Sequence, residues 1–136
     1  MCLLDEVIDW DAEHIRCRTN THRVLDNPLR SQDRLGVACG IEYAAQAMAL
    51  HGVLSGSAAG SMKSRPQLGF LASVRDVRLF ALRLDDIESE LICTASLLAG
   101  DDFTALYEFA VREDRGILLT GRASVVLDAG RHAKYE

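Results

Sequence analysis

The chain lacks the features that direct a protein to nucleic acid, metal, membrane or an oxidising compartment. Its thirteen arginines and two lysines are scattered without a run and the formal charge is −5, so the basic stripe of a nucleic-acid binder is missing. A local basic patch for an acidic partner stays open, because net charge does not fix the local field. Cys2, Cys17, Cys39 and Cys93 form no Cys-x-x-Cys pair and no cluster with histidine, so no zinc site is expected. The opening MCLLDEVIDWD carries acids where a secretory leader has bases and then an apolar run. Reduced thiols and a cytoplasmic location are therefore expected. The longest uncharged stretch, Tyr43 to Ser61, includes Gln46, His51 and several serines and glycines, and is too polar for a membrane span.

What remains is an ordinary globular composition. Of 136 residues, 49% are apolar and 26% charged, which suits one domain with one core and excludes a disordered chain. One domain is expected over residues 1–129, followed by a polar tail over 130–136. There is no internal repeat.

Leu3 to Trp10 mixes apolar and acidic residues and reads as a short edge strand. HIRCRT, from His14 to Thr19, alternates Ile15, Cys17 and Thr19 against arginines and reads as a half-exposed strand. A loop containing Asn27-Pro28 follows, since the residue before proline is pushed out of the helical region. From Arg34 to Gly52 the chain is rich in Ala, Met, Leu and Gln and is uncharged apart from Arg34 and Glu42. That predicts a helix of about five turns, with Ser31 or Asp33 as N-cap and Gly52 as its stop. Being apolar nearly all round, it should be buried, and Ala38, Ala44, Ala45, Ala47 and Ala49 would let a sheet approach it closely. SGSAAGSMKSRPQ reads as a flexible connection.

Four strand-like runs follow. Leu68 to Phe80 shifts its apolar face between Val74 and Val77, predicting a bulge near Arg75. Leu91 to Ala99, Phe103 to Val111 and Ile117 to Leu127 alternate cleanly, joined by the glycine-containing turns AGDD and EDRG. The clearest pattern is Phe103, Ala105, Tyr107, Phe109, Val111. A long apolar helix needs a sheet wrapped around it, an α+β layout.

These residues resemble a known family. An antiparallel sheet wrapped around one long helix is the hotdog fold, and GIEYAAQAMALHG resembles the helix of its hydroxyacyl-ACP dehydratases, with Gly40, Glu42, Ala45 and Gln46 at the matching positions. LLDEV and VRDVRLFALRLDD are similar to two of that family's strand segments. The pattern His…Asn-Pro-Leu-Arg…Gly-Ile-Glu-Tyr-Ala-Ala-Gln-Ala resembles a divergent bacterial branch found in aryl-polyene-type lipid pathways. The family's His-Phe-Pro-Gly motif is absent, and His22, in THRVLDNPLR, lies 20 positions before Glu42. The resemblance implies a dehydratase acting on 3-hydroxyacyl thioesters in fatty-acid-like or aryl-polyene lipid biosynthesis. It also implies a dimer, either a homodimer or a heterodimer with another hotdog subunit, and an acyl carrier protein or coenzyme A thioester as substrate.

That chemistry needs a base for the proton beside the thioester carbonyl and an acid for the departing hydroxyl. A neutral histidine suits the first role, and a carboxyl in an apolar setting suits the second. His22 and Glu42 are the candidates, with no cofactor or metal required. Gly36 and Gly40 would let an acyl chain approach backbone donors at the helix start, and Gln46, one turn past Glu42, would orient its carboxyl or pack against a neighbour. Arg30, Lys63 and Arg65 are candidates for contact with an acidic carrier protein. Alternatively, Glu42 pairs with Arg18 or Arg75 and His22 is a solvated loop side chain. His51 reads as a helix-end cation, and His14 and His132 carry no assignment. A hotdog thioesterase, using the helix acid to activate water, and a non-catalytic or half-catalytic subunit of a hotdog heterodimer are the competing readings.

Overall fold

The computed structural model describes residues 2–58 and 69–127. Its elements in chain order are β1 (Glu6–Trp10), β2 (His14–Thr19), α1 (Gly40–Ala58), β3 (Gly69–Leu79), β4 (Leu91–Gly100), β5 (Thr104–Glu113) and β6 (Gly116–Leu127). The strands form one antiparallel sheet in the order β1-β2-β4-β5-β6-β3. The tail 130–136, Lys63, Arg65 and most of the SGSAAGSMKSRPQ connection lie outside the described residues; Ser55–Ala58 of that connection belongs to α1.

Period-two alternation places Ile15 and Cys17 on β2, Leu91, Cys93 and Ala95 on β4, and Ala105, Tyr107, Phe109 and Val111 on β5 on one buried face. Phe103 departs from its expected place; it precedes β5 and is 66% exposed. Against that face α1 lays Tyr43, Ala44, Ala47, Met48 and His51, the stripe a 3.6-residue period requires. The opposite side is open at Glu42 and Ala49, so the helix is not buried all round: a single sheet covers one side only. By length and composition Val37–Ser55 would also suit a membrane span, but here it is the core helix of the sheet.

The helix starts and stops six residues later than its composition suggests. Gln32 and Asp33 adopt left-handed backbone (φ 53° and 63°), and Ser31 bridges Arg34 across them. The next residues run extended beside the β3–β4 connection. Leu84 N–H donates to Leu35 O at 2.7 Å, Val37 N–H to Leu82 O at 3.1 Å, and Leu35 N–H to an Asp85 carboxylate oxygen at 3.0 Å. Arg83 grips the same carboxylate and holds Asp85 far below the usual carboxylate range. A single 3-10 turn, Val37–Cys39, then leads into α1. Gly52 does not end the helix, because packing on the sheet overrides its weak propensity.

His51 does not stand at the helix end. It is buried within α1, where its Nε2–H donates to Asp11 O at 2.9 Å and its Nδ1 lies 2.7 Å from the Tyr107 hydroxyl. The bulge expected near Arg75 is present: register shifts between Arg75 and Arg78, and Asp76 has φ 55°.

Gly40 sits where α1 meets β6. A Cβ there would fall 2.3 Å from Leu119 Cδ2 and 3.6 Å from Val111 Cγ2. Gly40→Ala should therefore cost about 1–3 kcal/mol in urea unfolding. Adding Leu119→Ala should make the double variant less destabilised than the sum of the two single losses, since the crowded methyl is gone.

Candidate active site

The segment between β2 and α1 carries a buried polar knot. Thr19 and Thr21 hydroxyls both donate to Leu3 O, at 2.5 and 2.6 Å, and Thr21 Oγ1 lies 2.9 Å from the Tyr43 hydroxyl. Asn27 Nδ2 donates to that phenol oxygen at 3.0 Å and to Thr21 O at 2.9 Å, while its Oδ1 accepts from Leu29 N–H at 2.8 Å. Tyr43 is fully buried, so burial raises its phenol even though the bonds to Thr21 and Asn27 oppose the rise. The knot fixes the first turn of α1, and Glu42 is the residue before Tyr43.

Glu42 is turned outward. It is exposed, and no hydrogen bond or ion pair among the described residues engages it, so neither Arg18 nor Arg75 is its partner. Arg18 instead faces Glu6 at 3.5 Å and Glu90 at 4.0 Å. The carboxylate is close enough to Cys39 to help raise that thiol, after the larger effect of burial. Exposed Ala38 stands just ahead of it, and the neighbouring strand connection exposes Phe80 and Leu82, the latter 91% accessible.

His22 lies fully buried in a short 3-10 turn, Thr21–Arg23, and is not a solvated loop side chain. Its Nε2 faces two carbonyls, Ile87 O at 3.0 Å and Ser89 O at 3.1 Å, so that nitrogen carries the proton. Nδ1 is left as the lone-pair nitrogen, buried and without a partner. Burial pushes the imidazole below its ordinary value, and the two carbonyls counteract this only in part. In this chain alone the ring is sealed from substrate.

Gly40, Gln46 and Arg30 make structural contacts. Gly40 is packed on Leu119, and its N–H is directed to Val37 O and Ala38 O within the 3-10 turn, so it is not a free donor for an oxyanion. Gly36 is exposed with open space where a Cβ would stand. Gln46 Oε1 accepts from Leu3 N–H at 2.7 Å, tying the N-terminal segment to α1. Arg30 holds its own loop, donating to Val24 O at 2.9 Å and Asp33 O at 3.2 Å. Cys17 and Cys93 face each other across β2 and β4 as free, buried thiols; burial pushes Cys17 to about 11 and Cys93 further up, which makes both poor nucleophiles. Among the described residues, no three His, Cys, Asp or Glu side chains group as a metal site. The sequence reading missed Tyr43 and Asn27; a tyrosine inside an otherwise apolar helix stripe was the available signal, because a buried phenol needs a partner.

A six-stranded antiparallel sheet with one long helix on its inner face defines a hotdog fold. The chain belongs to the ApeP-like family, whose model, described as ApeP dehydratase, matches residues 1–134. Among solved structures it is similar to "The Dehydratase Heterocomplex ApeI:P from Xenorhabdus doucetiae", with 27% identity, 93% of this chain and 82% of that chain covered, and a TM-score of 0.74. The fold is also that of a hypothetical thioesterase with coenzyme A from Streptococcus pneumoniae (11% identity, 90% and 84% covered, TM-score 0.65). A mutant of thioesterase PA1618 from Pseudomonas aeruginosa shares it as well (11%, 89% and 78% covered, TM-score 0.64). No curated protein sequence matches the chain.

The His22 environment has a pH consequence. A histidine held below its unfolded value of about 6.5 binds fewer protons folded than unfolded. Its contribution is complete above that value and is lost as pH falls through the lowered folded value. Urea midpoints should therefore drop from pH 7.5 to pH 5.5, and His22→Gln should be less stable at pH 7.5 but show a shallower drop.

Proposed function

We propose that this chain is one half of a hotdog dehydratase dimer that removes water from 3-hydroxyacyl thioesters carried by an acyl carrier protein, with Glu42 at the reacting atoms. The observation that carries this reading is the exposed Glu42 carboxylate on the first turn of α1, which no hydrogen bond or ion pair among the described residues engages; Leu82, whose carbonyl accepts from Val37 N–H just ahead of α1, is exposed as well. Covered by a partner, that carboxyl would be positioned to donate a proton to the leaving hydroxyl. The balanced step removes a proton from the carbon beside the thioester carbonyl, breaks the bond between the next carbon and its hydroxyl, and forms the conjugated double bond and water.

In this reading the base comes from the partner. His22 is sealed, and we assign it a positioning role: it holds the Thr21–Arg23 turn on the β3–β4 connection, and through Thr21 holds Tyr43 beside Glu42.

The two edges of the sheet favour pairing along β3. β1 is five residues long, with exposed Glu6 and Asp9 and a register shift between Val7 and Asp9, all features that protect an edge. β3 also carries register shifts and exposed charges, but it is eleven residues long and exposes Leu71, Val77 and Leu79, so length and apolar exposure distinguish it from β1. A second hotdog chain, of a different sequence, is the occupant we assign to it; the heterocomplex from Xenorhabdus doucetiae supports this. The four free cysteines fit a reducing, cytoplasmic setting.

The test is turnover of 3-hydroxyacyl-carrier-protein by the complex isolated from its native cell, following the conjugated enoyl product and free thiol in parallel. Glu42→Gln should lower turnover about 100-fold or more, the scale of a lost proton-transfer group. His22→Gln should lower it by less than about tenfold and leave the pH profile of kcat/KM in place, where loss of a general base would reach the larger scale and remove a limb of the profile. Release of free thiol without enoyl product would show a thioesterase and overturn the reading.

A further inference from the structure

The outer face of the sheet carries an unbalanced charge at the edge that the proposed partner covers. Arg75, Arg78 and Arg122 share that face. Arg75 stands directly opposite Arg122 in the β3–β6 register, an arrangement of like charges that is unfavourable by itself. Two acids stand nearby. Glu108 is 3.9 Å from Arg122, and Asp76 lines the same hollow of about 530 Å³ as Arg78, Glu108 and Arg122. That hollow is balanced, with two arginines and two acids. Arg75 lies outside its lining, is exposed, and is engaged by no hydrogen bond or ion pair among the described residues. It is next to Val74, the middle of β3.

We propose that Arg75 is a partner-selecting residue: it disfavours pairing of two copies of this chain along β3 and favours a chain that sets a carboxylate beside it. This rests on the proposed pairing along β3 and deepens it. Antiparallel pairing of two identical edges about their centres brings both Arg75 side chains onto one face within a residue or two of each other. Adjacent strands lie about 4.8 Å apart, inside the Debye length of roughly 8 Å at physiological salt, so the repulsion is not screened away. Arg122 behind each Arg75 adds to it and is only partly offset by Glu108. A carboxylate from a different chain would pair with Arg75 from the open side of β3 and offset its contact with Arg122.

The experiment uses the chain itself as an acidic-edged surrogate. Wild type and Arg75→Glu, distinguished by a mass tag, are mixed and their dimers counted by native mass spectrometry. The ratio of mixed dimers to homodimers should exceed its statistical value by about twofold to fivefold at low salt, the scale of cross-strand charge pairs, and return toward it in 0.5 M NaCl. Arg75→Gln should give an intermediate result. A statistical mixture at every salt concentration, or no mixed dimer, would overturn the assignment. A third copy carrying Arg75→Glu with Leu79→Asp separates the two ideas, because Leu79 is a half-exposed β3 residue whose replacement should block the edge. If mixed dimers persist with that copy, β3 is not the contact and the pairing reading fails. If they vanish while charge has no effect, only the role of Arg75 fails.

Discussion

The hydroxyl of Tyr43 is the constraint on which the rest of the candidate site depends. A phenol buried in an apolar core must find partners or lose more than a hydrogen bond contributes. Here the partners, Thr21 and Asn27, come from the long segment between β2 and α1. The segment is thereby pinned to the helix, and Thr21 and Thr19 carry the restraint on to Leu3 at the N-terminus. Because the phenol points inward, the neighbouring Glu42, about 100° around the helix, must point away from that contact. Exposure of the carboxylate follows from burial of the tyrosine.

The same segment is held from its other side. Leu35 and Val37 hydrogen-bond to the stretch from Leu82 to Asp85, and His22 reaches the carbonyls of Ile87 and Ser89. The β3–β4 connection is thus a template on which the lead into α1 is laid. It also exposes Phe80 and Leu82, so the piece that fixes the helix start presents apolar surface of its own. Stability and the shape of the candidate site are supplied by one set of backbone bonds.

Much of this was legible in the sequence where local pattern and tertiary packing ask for the same thing. HIRCRT gave β2 to the residue, and the shift of apolar positions after Val74 located the β3 bulge, because alternation and pleat share a period of two. The helix was found but displaced: its start is set by the Gln32-Asp33 turn and by bonds to residues about fifty positions away, which composition does not record. Phe103 extended an alternating run on paper but falls in the turn at Asp101, whose carboxylate accepts from the Phe103 and Thr104 N–H groups. The burial of His22 and of His51 escaped local reading for one reason. Burial of a polar ring depends on which distant carbonyls reach it, Ile87 and Ser89 for one and Asp11 for the other, and neither is visible locally.

Glu42 and His22 differ in what a single chain can do with them. The histidine has its Nε2 proton placed by two carbonyls and its Nδ1 enclosed within this chain. The carboxylate has no partner and no cover, on a helix whose other side is fully packed. Natural cores do not leave the outer side of a central helix apolar without something to lay on it, and the long β3 edge faces the same problem of unpaired backbone groups. One second chain, added along β3, answers both needs. On the proposed pairing it would extend the sheet and cover exposed apolar side chains. The open β3 edge and the exposed Glu42 would then be answered by one neighbour.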